Sequence, residues 1–449
     1  MPTAPMPQFP TGFRWGVSTS AHQIEGATTA DGRGPSIWDT FARSPGRISD
    51  GSSGEVTCDH YHRHTEDVAL LAGLGVDAYR FSIAWPRIQP TGAGPVNPTG
   101  LDFYDRLVDE LLAAGVDPVA TLYHWDLPQP LEDAGGWLHR DTAARFAEYA
   151  EKTAARLGDR VRLWITLNEP FIHMSLGYGM GTHAPGRALL FDAFPVAHHQ
   201  LLGHGLAVAA LRTHTTSPVA VANNYSPVRV LGDSDADRAA AAAYQALHNR
   251  LFTDPLLGHG YPEIPGRDPS VIRPGDLETI AAPIDVLGVN YYNPTGVRAA
   301  KAGSPLPFDL VALDGYPRTA FDWPVAPDGL RELLGWLRDT YGDALPPIEI
   351  TESGCAYDDA PDADGQVADP ERIAYLDGHL RAVRAALDDG VDVRGYFVWS
   401  LLDNWEWAEG FTKRFGLVHV DYATQTRTPK SSYTWLRDVI AASRPGSAR

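Results

Sequence analysis

One pattern constrains this chain more than any other: an apolar run that ends in polar or aromatic residues, followed by a helical stretch, returns eight times. The runs are FRWGVST (13–19), DAYRFSIAW (77–85), DPVATLYHW (117–125), VRLWITLNE (161–169), PVAVANNYS (218–226), IDVLGVNYY (284–292), PIEITESG (347–354) and VRGYFVWSLLD (393–403). Their front halves are almost continuously apolar, as in parallel strands covered on both faces. Between them lie amphipathic segments. Over 100–116, Leu101, Tyr104, Leu107, Val108, Leu111 and Leu112 recur every three or four positions, and Gly115 predicts the stop. Over 140–159 the pattern predicts a second helix, with Asp141 as its N-cap.

Eight strands alternating with helices over 449 residues predict a single α/β domain spanning 1–449, a (β/α)8 TIM barrel with long βα loops and a core at about 13–440. A doubly wound sheet is the rival architecture, but no glycine-rich phosphate loop follows any strand. The net charge of −19 disfavours nucleic acid and anionic membrane partners. No apolar run of spanning length occurs, and the start MPTAPMPQFPTGF lacks the charged and apolar regions of an export signal. Cys58 and Cys355 stand far apart, so two buried thiols and a cytoplasmic location are expected.

Polar residues gather at the C-terminal ends of the strands, the face where barrels of this kind build their sites. Gln23 lies just past the first strand, Arg80 in the second, and His124 and Trp125 on the third. Asn168 and Glu169 close the fourth, Asn290 and Tyr292 the sixth, Glu352 the seventh and Trp399 the eighth. A charge at the end of an apolar strand costs several kcal/mol unless something needs it. Glu169 in TLNEP and Glu352 in ITESG are two such charges. Cleaving a glycosidic bond needs two carboxylates, one to protonate the leaving oxygen and one to attack or to activate water. Sugar rings also stack on aromatic faces while their hydroxyls need polar partners. Trp125, Tyr292, Trp323, Trp399, Trp405 and Trp407 supply the faces, and Gln23, His124, Asn168 and Glu406 the partners.

Two other readings compete. In CDHYHRH (58–64), Cys58, His60, His62 and His64 invite a metal, as do His198, His199 and His204. The first cluster runs straight into an amphipathic helix, which favours a packing role and no cofactor. A silent glycan-binding barrel would most simply have lost a carboxylate, and both are present.

The chain resembles the glycoside hydrolase family 1 β-glucosidases in FRWGVSTSAHQIEGA (13–27), YRFSIAWPRI (79–88), TLYHWDLPQPLE (121–132), TLNEP (166–170), GVNYY (288–292), ITESG (350–354) and WSLLDNWEWAEGFTKRFGLVHVDY (399–422). The resemblance implies a retaining exo-β-glycosidase for small β-glycosides and cello-oligosaccharides, with Glu169 as acid/base and Glu352 as nucleophile. Retaining geometry places the two carboxyl groups about 5–5.5 Å apart. The resemblance further implies a sugar subsite of Gln23, His124, Trp125, Asn168, Tyr292, Glu406 and Trp407 over a floor of Trp399. Arg80, Asn290 and Tyr292 are expected to support Glu352, and Trp323 to line the leaving-group side. Ser353 stands where the family usually has Asn. Glu406 and Phe415 disfavour a 6-phosphorylated sugar, because a carboxylate repels phosphate and Phe415 lacks a hydroxyl. Glucose, galactose and fucose all remain open.

Overall fold

A computed structural model describes residues 6–444. All eight predicted strands are present, as β1 (Arg14–Ser18), β2 (Ala78–Ser82), β3 (Asp117–Tyr123), β4 (Leu163–Asn168), β5 (Val219–Tyr225), β6 (Val286–Tyr291), β7 (Ile348–Ser353) and β8 (Val393–Trp399). They pair in parallel and in sequence order, and β8 closes on β1 to complete the barrel. Each is shorter than its apolar run because the last residues of the run leave the ladder to form the mouth.

The lower interior is filled by small and branched side chains, among them Ala78, Val119, Leu163, Ile165, Ala220 and Ala222, around the ring of Phe397. Gly16 is what admits that ring. A Cβ at position 16 would lie 2.3 Å from the Phe397 side chain, closer than packed atoms approach.

The outer helices bury the faces their periodicity predicts. The helix Pro98–Ala113 buries Leu101, Phe103, Tyr104, Leu107, Val108 and Leu111, while Leu112 is only half-buried. Gly115 follows it with φ +74°, and Val116 N–H donates back to Leu111 O at 2.9 Å, the left-handed stop that glycine makes cheap. The second helix corrects one expectation. Asp141 is its first helical residue, with Arg140 at the cap position and no capping side chain. Asp141 instead places a negative charge in the first turn, where the helix dipole favours it.

Register shifts interrupt the ladder between Ile165 and Asn168 on β4 and between Ile350 and Glu352 on β7. Such irregularities re-aim side chains. Here they fall just before the two strand-end glutamates. Above the mouth lies a three-stranded sheet of Val228–Val230, Thr295–Ala299 and Phe308–Val311, which the sequence pattern does not announce. No helix among the described residues is long and apolar enough to cross a membrane.

Candidate active site

Glu169 and Glu352 open onto one cavity of about 350 Å3 at the C-terminal mouth of the barrel. Its walls include His124, Trp125, Tyr292, Trp323, Trp399, Glu406 and Trp407, all predicted from the sequence. Gln23, Arg80, Asn168 and Asn290 lie behind that wall and reach its residues through hydrogen bonds. Three of the wall residues hold left-handed backbone without being glycine: Trp125 (φ 75°), Glu169 (φ 43°) and Trp407 (φ 49°). Such conformations cost roughly 1–3 kcal/mol each and persist where surrounding structure holds them.

Glu352 is almost fully buried, and both of its oxygens are engaged. Arg80 Nη1 donates to Oε1 at 2.7 Å and the Tyr292 hydroxyl donates to Oε2 at 2.7 Å. Arg80 is itself fixed, donating to Asn168 Oδ1 at 2.6 Å, Thr121 Oγ1 at 3.1 Å and the Thr351 carbonyl at 3.0 Å. Burial raises the pKa of Glu352 above the ordinary carboxyl range, while Arg80 and Tyr292 pull it back. The ion pair with Arg80 is what marks Glu352 as the ionised member of the site.

Glu169 is held differently. Its Oε1 accepts from Asn224 Nδ2 at 3.0 Å and from Asn290 Nδ2 at 2.9 Å. No cation among the described residues touches it. Burial and the neighbouring negative charge of Glu352 push it up to about 8, against the pull of the two amides and of more distant Arg80. With Oε1 already taking two N–H donors, the proton of the neutral acid belongs on Oε2, which has no protein partner among the described residues. Asn290 also acts on Glu352 and sits opposite it in the β6–β7 register, so one amide is shared between the two carboxylates.

Farther along the cavity, Gln23 Nε2 donates to Glu406 Oε2 at 3.0 Å and to Asn404 Oδ1 at 3.1 Å. Burial and Glu352 raise Glu406 to about 8. Asn168 Oδ1 takes two donors, from Arg80 and Asn290, so its Nδ2 donates to His124 Nε2 at 2.9 Å. Burial and Arg80 hold His124 neutral. Its proton therefore lies on Nδ1, which has no protein partner among the described residues. Trp125 spends its indole N–H on the Asn168 carbonyl at 2.9 Å and offers the cavity its ring alone.

The eighth strand's loop is pinned from below. Asp403 accepts from Lys430 and Arg414, each at 2.8 Å, so this carboxylate of WSLLDNWEW is an anchor. Trp405, counted among the sugar-facing aromatics from sequence, is fully buried and donates to Ser52 Oγ at 2.9 Å. It packs beneath Trp407 and takes no part in the wall. Gly354 has no room for a side chain, since a Cβ there would lie 1.8 Å from the Trp399 carbonyl oxygen. Ser353, in place of the family's Asn, has its hydroxyl 3.4 Å from the Tyr375 hydroxyl.

The histidines of 58–64 go to separate carboxylates: His60 to Asp67 at 2.8 Å, His62 to Asp59 at 2.6 Å and His64 to Glu110 at 2.9 Å. Of the later three, His198 meets Tyr261 and Asp276, His199 the Trp137 carbonyl and His204 Thr166. Among the described residues no group of three or more His, Cys, Asp or Glu is arranged to hold a metal. Both cysteines are buried and free.

The cavity also contains Phe415 and, beyond the residues that the sequence indicates, His183, Asn224, His248 and Phe321. Asn224 alone carried a signal, as the polar end of β5.

Paired buried carboxylates, one ion-paired and one held neutral, on an aromatic-walled barrel mouth make up the machinery of a sugar-cleaving hydrolase. The chain belongs to glycosyl hydrolase family 1, whose model matches residues 6–445. It is 52% identical over 442 residues to the thermostable beta-glucosidase B of Thermobispora bispora, covering 96% of this chain and 90% of that one. It is 44% identical to a bifunctional beta-D-glucosidase/beta-D-fucosidase of Bifidobacterium breve, covering 96% and 98%. Among solved structures, the psychrophilic beta-glucosidase of Micrococcus antarcticus matches with a TM-score of 0.93 at 48% identity, over 97% of this chain and 98% of that one.

Proposed function

We propose that the protein is a retaining exo-β-glucosidase, in which Glu352 attacks the anomeric carbon and Glu169 protonates the departing oxygen. The single observation that carries this reading is the contrast between the two carboxylates. Arg80 and Tyr292 hold Glu352 as an anion, while Glu169 has no cation, a pKa near 8 and a free Oε2 facing the cavity.

In the first step Glu352 forms a glycosyl ester as Glu169 gives its proton to the leaving group. In the second, ionised Glu169 takes a proton from water, and that water displaces Glu352. Two inversions at one carbon return the original β anomer. Glu406, Gln23 and the Nδ1–H of His124 are the partners for sugar hydroxyls, with Trp399 and Trp407 against the ring. Trp323 and Phe321, stacked with centroids 4.4 Å apart, receive the leaving group.

A terminal unphosphorylated β-glucosyl residue fits best, because the cavity wall presents Glu406 and Phe415 and, among the described residues, no lysine or arginine to hold a 6-phosphate. The Bifidobacterium breve relative, named a bifunctional beta-D-glucosidase/beta-D-fucosidase, supports fucosides as further substrates. A relative at 42% identity from Thermotoga neapolitana, named a 1,4-beta-D-glucan glucohydrolase, supports cello-oligosaccharides and a part in cellulose breakdown. Two free buried thiols fit a reducing cytoplasm.

The sugar subsite is tested by Glu406→Ser. Losing that carboxylate leaves buried sugar hydroxyls unpaired, at about 1–3 kcal/mol each, which amounts to roughly 5- to 150-fold in kcat/KM. The variant should lose activity on plain nitrophenyl β-glucoside and gain none on its 6-phosphate. Wild-type rates on the plain glucoside would move the subsite away from Glu406.

A further inference from the structure

A chain of hydrogen bonds runs from outside the barrel to the acid/base. The Tyr244 hydroxyl lies 2.8 Å from His248 Nδ1, His248 Nε2 lies 2.8 Å from Asn224 Oδ1, and Asn224 Nδ2 lies 3.0 Å from Glu169 Oε1. Only one direction satisfies every link. An ionised Glu169 accepts, so Asn224 presents its NH2 to the carboxylate and its Oδ1 to the imidazole. That Oδ1 needs a donor, so Nε2 carries the imidazole proton and Nδ1 takes one from the tyrosine hydroxyl. Burial holds His248 neutral, its pKa lowered to about 3, so the direction of the chain is the same at any working pH. Packing fixes Tyr244 and His248 as well. Tyr244 belongs to the apolar cluster beneath the mouth sheet, with Val297 and Phe308, and Phe171 lies on the His248 ring at 4.4 Å.

We propose that His248, oriented by Tyr244, is a positioning residue that keeps the Asn224 amide turned N–H first toward Glu169, and so sets the pH at which Glu169 releases its proton. The inference rests on the reading of Glu169 as acid/base. Its value to the reaction is twofold. The Asn224 donor occupies Oε1, which leaves the proton on Oε2 for the leaving group. It also favours the carboxylate, which the second step needs as a base, against the burial and negative charge that favour the acid. Burial and Glu352 raise the pKa of Glu169, and Asn290, Asn224 and Arg80 lower it; Glu406, farther along the cavity, is itself raised by Glu169. Tyr292 is neutral and spends its proton on Glu352. Without His248 the Asn224 amide is free to turn over and set its carbonyl oxygen against Glu169. A carboxylate is repelled by that oxygen, and a carboxylic acid is not.

The test is the pH profile of kcat/KM for His248→Phe, Asn224→Ala and the double variant, on a glucoside with a poor leaving group. Each single change should move the basic limb upward by about one pH unit, the size of one lost hydrogen bond to a charged group. The double variant should move it no further than one of them alone, since the two act through one link. His248→Gln, whose amide N–H can still donate to Asn224, should restore most of the wild-type profile. Tyr244→Phe, which removes one hydroxyl, should give a smaller shift in the same direction. A His248→Phe enzyme whose rate falls equally at every pH with the limb in place would overturn the proposal, as would shifts that add in the double variant. A basic limb that survives in Glu169→Gln would instead remove Glu169 from the acid role, a different failure.

Discussion

Glu352→Gly should lose on the order of 10^6-fold in turnover, the size seen when a catalytic nucleophile is removed, because no covalent glycosyl-enzyme can form and the oxocarbenium-like transition state loses its anion. The loss should be repairable. Arg80 Nη1 and the Tyr292 hydroxyl, each 2.7 Å from the carboxylate in the intact protein, remain as two donors around the space the side chain leaves. That space accepts a small anion. Azide, offered with a β-glucoside bearing an activated aryl leaving group, should enter it and attack from the face that Glu352 occupied. One inversion replaces two, so the product should be the α-glycosyl azide. Recovery of the β-azide, or no recovery at any azide concentration, would take the nucleophile's role from Glu352.

Glu169→Gln should separate substrates by their leaving groups. With an alkyl or sugar leaving group, which departs only when protonated, the loss should be about 10^2- to 10^4-fold, the usual contribution of a placed general acid. With an activated aryl group the first step needs little protonation, and the remaining defect lies in the second step, where no base draws the proton from water. The pH profile carries the sign. Glu169 serves as the acid only while protonated, and burial beside Glu352 raises it to about 8, so wild-type activity should fall as the pH rises through that value. The acid limb reports protonation of Glu352, which burial also lifts above the ordinary range, so it should lie above the pH at which a free glutamate titrates. Glutamine at 169 should erase the basic limb and leave the acid one. In Glu169→Gly, azide should replace the base and give the β-glycosyl azide, the opposite anomer from the Glu352 variant.

The barrel was legible because its determinant is local. Parallel strands covered on both faces are apolar along their length, and a polar residue at the end of such a run has few places to go except the mouth. Glu169, Glu352, His124 and Tyr292 follow from that rule alone. What escaped the rule was set by distant pairing. His248 reaches the site from a helical turn after Asp235–Gln245, with no strand end to mark it. The mouth sheet unites one segment from the loop after β5 with two from the loop after β6, none of them apolar enough to read as a buried strand. Trp405 and Trp407 are two residues apart in one motif, yet one is core and one is wall, because Trp407 adopts a left-handed backbone that the sequence does not declare. Asp403 and Glu406 stand three residues apart in one polar motif, yet Lys430 and Arg414, which the motif does not reveal, make Asp403 an anchor.

Double displacement at one anomeric carbon is tested most directly by the anomer first released. Wild-type enzyme at high concentration, mixed with an aryl β-glucoside and followed by proton NMR from the first minute, should show β-glucose alone at the start. The α anomer should appear only at the rate of spontaneous mutarotation. If α-glucose is the first product, water has attacked directly, Glu352 has formed no ester, and the two carboxylates work as acid and base of an inverting enzyme.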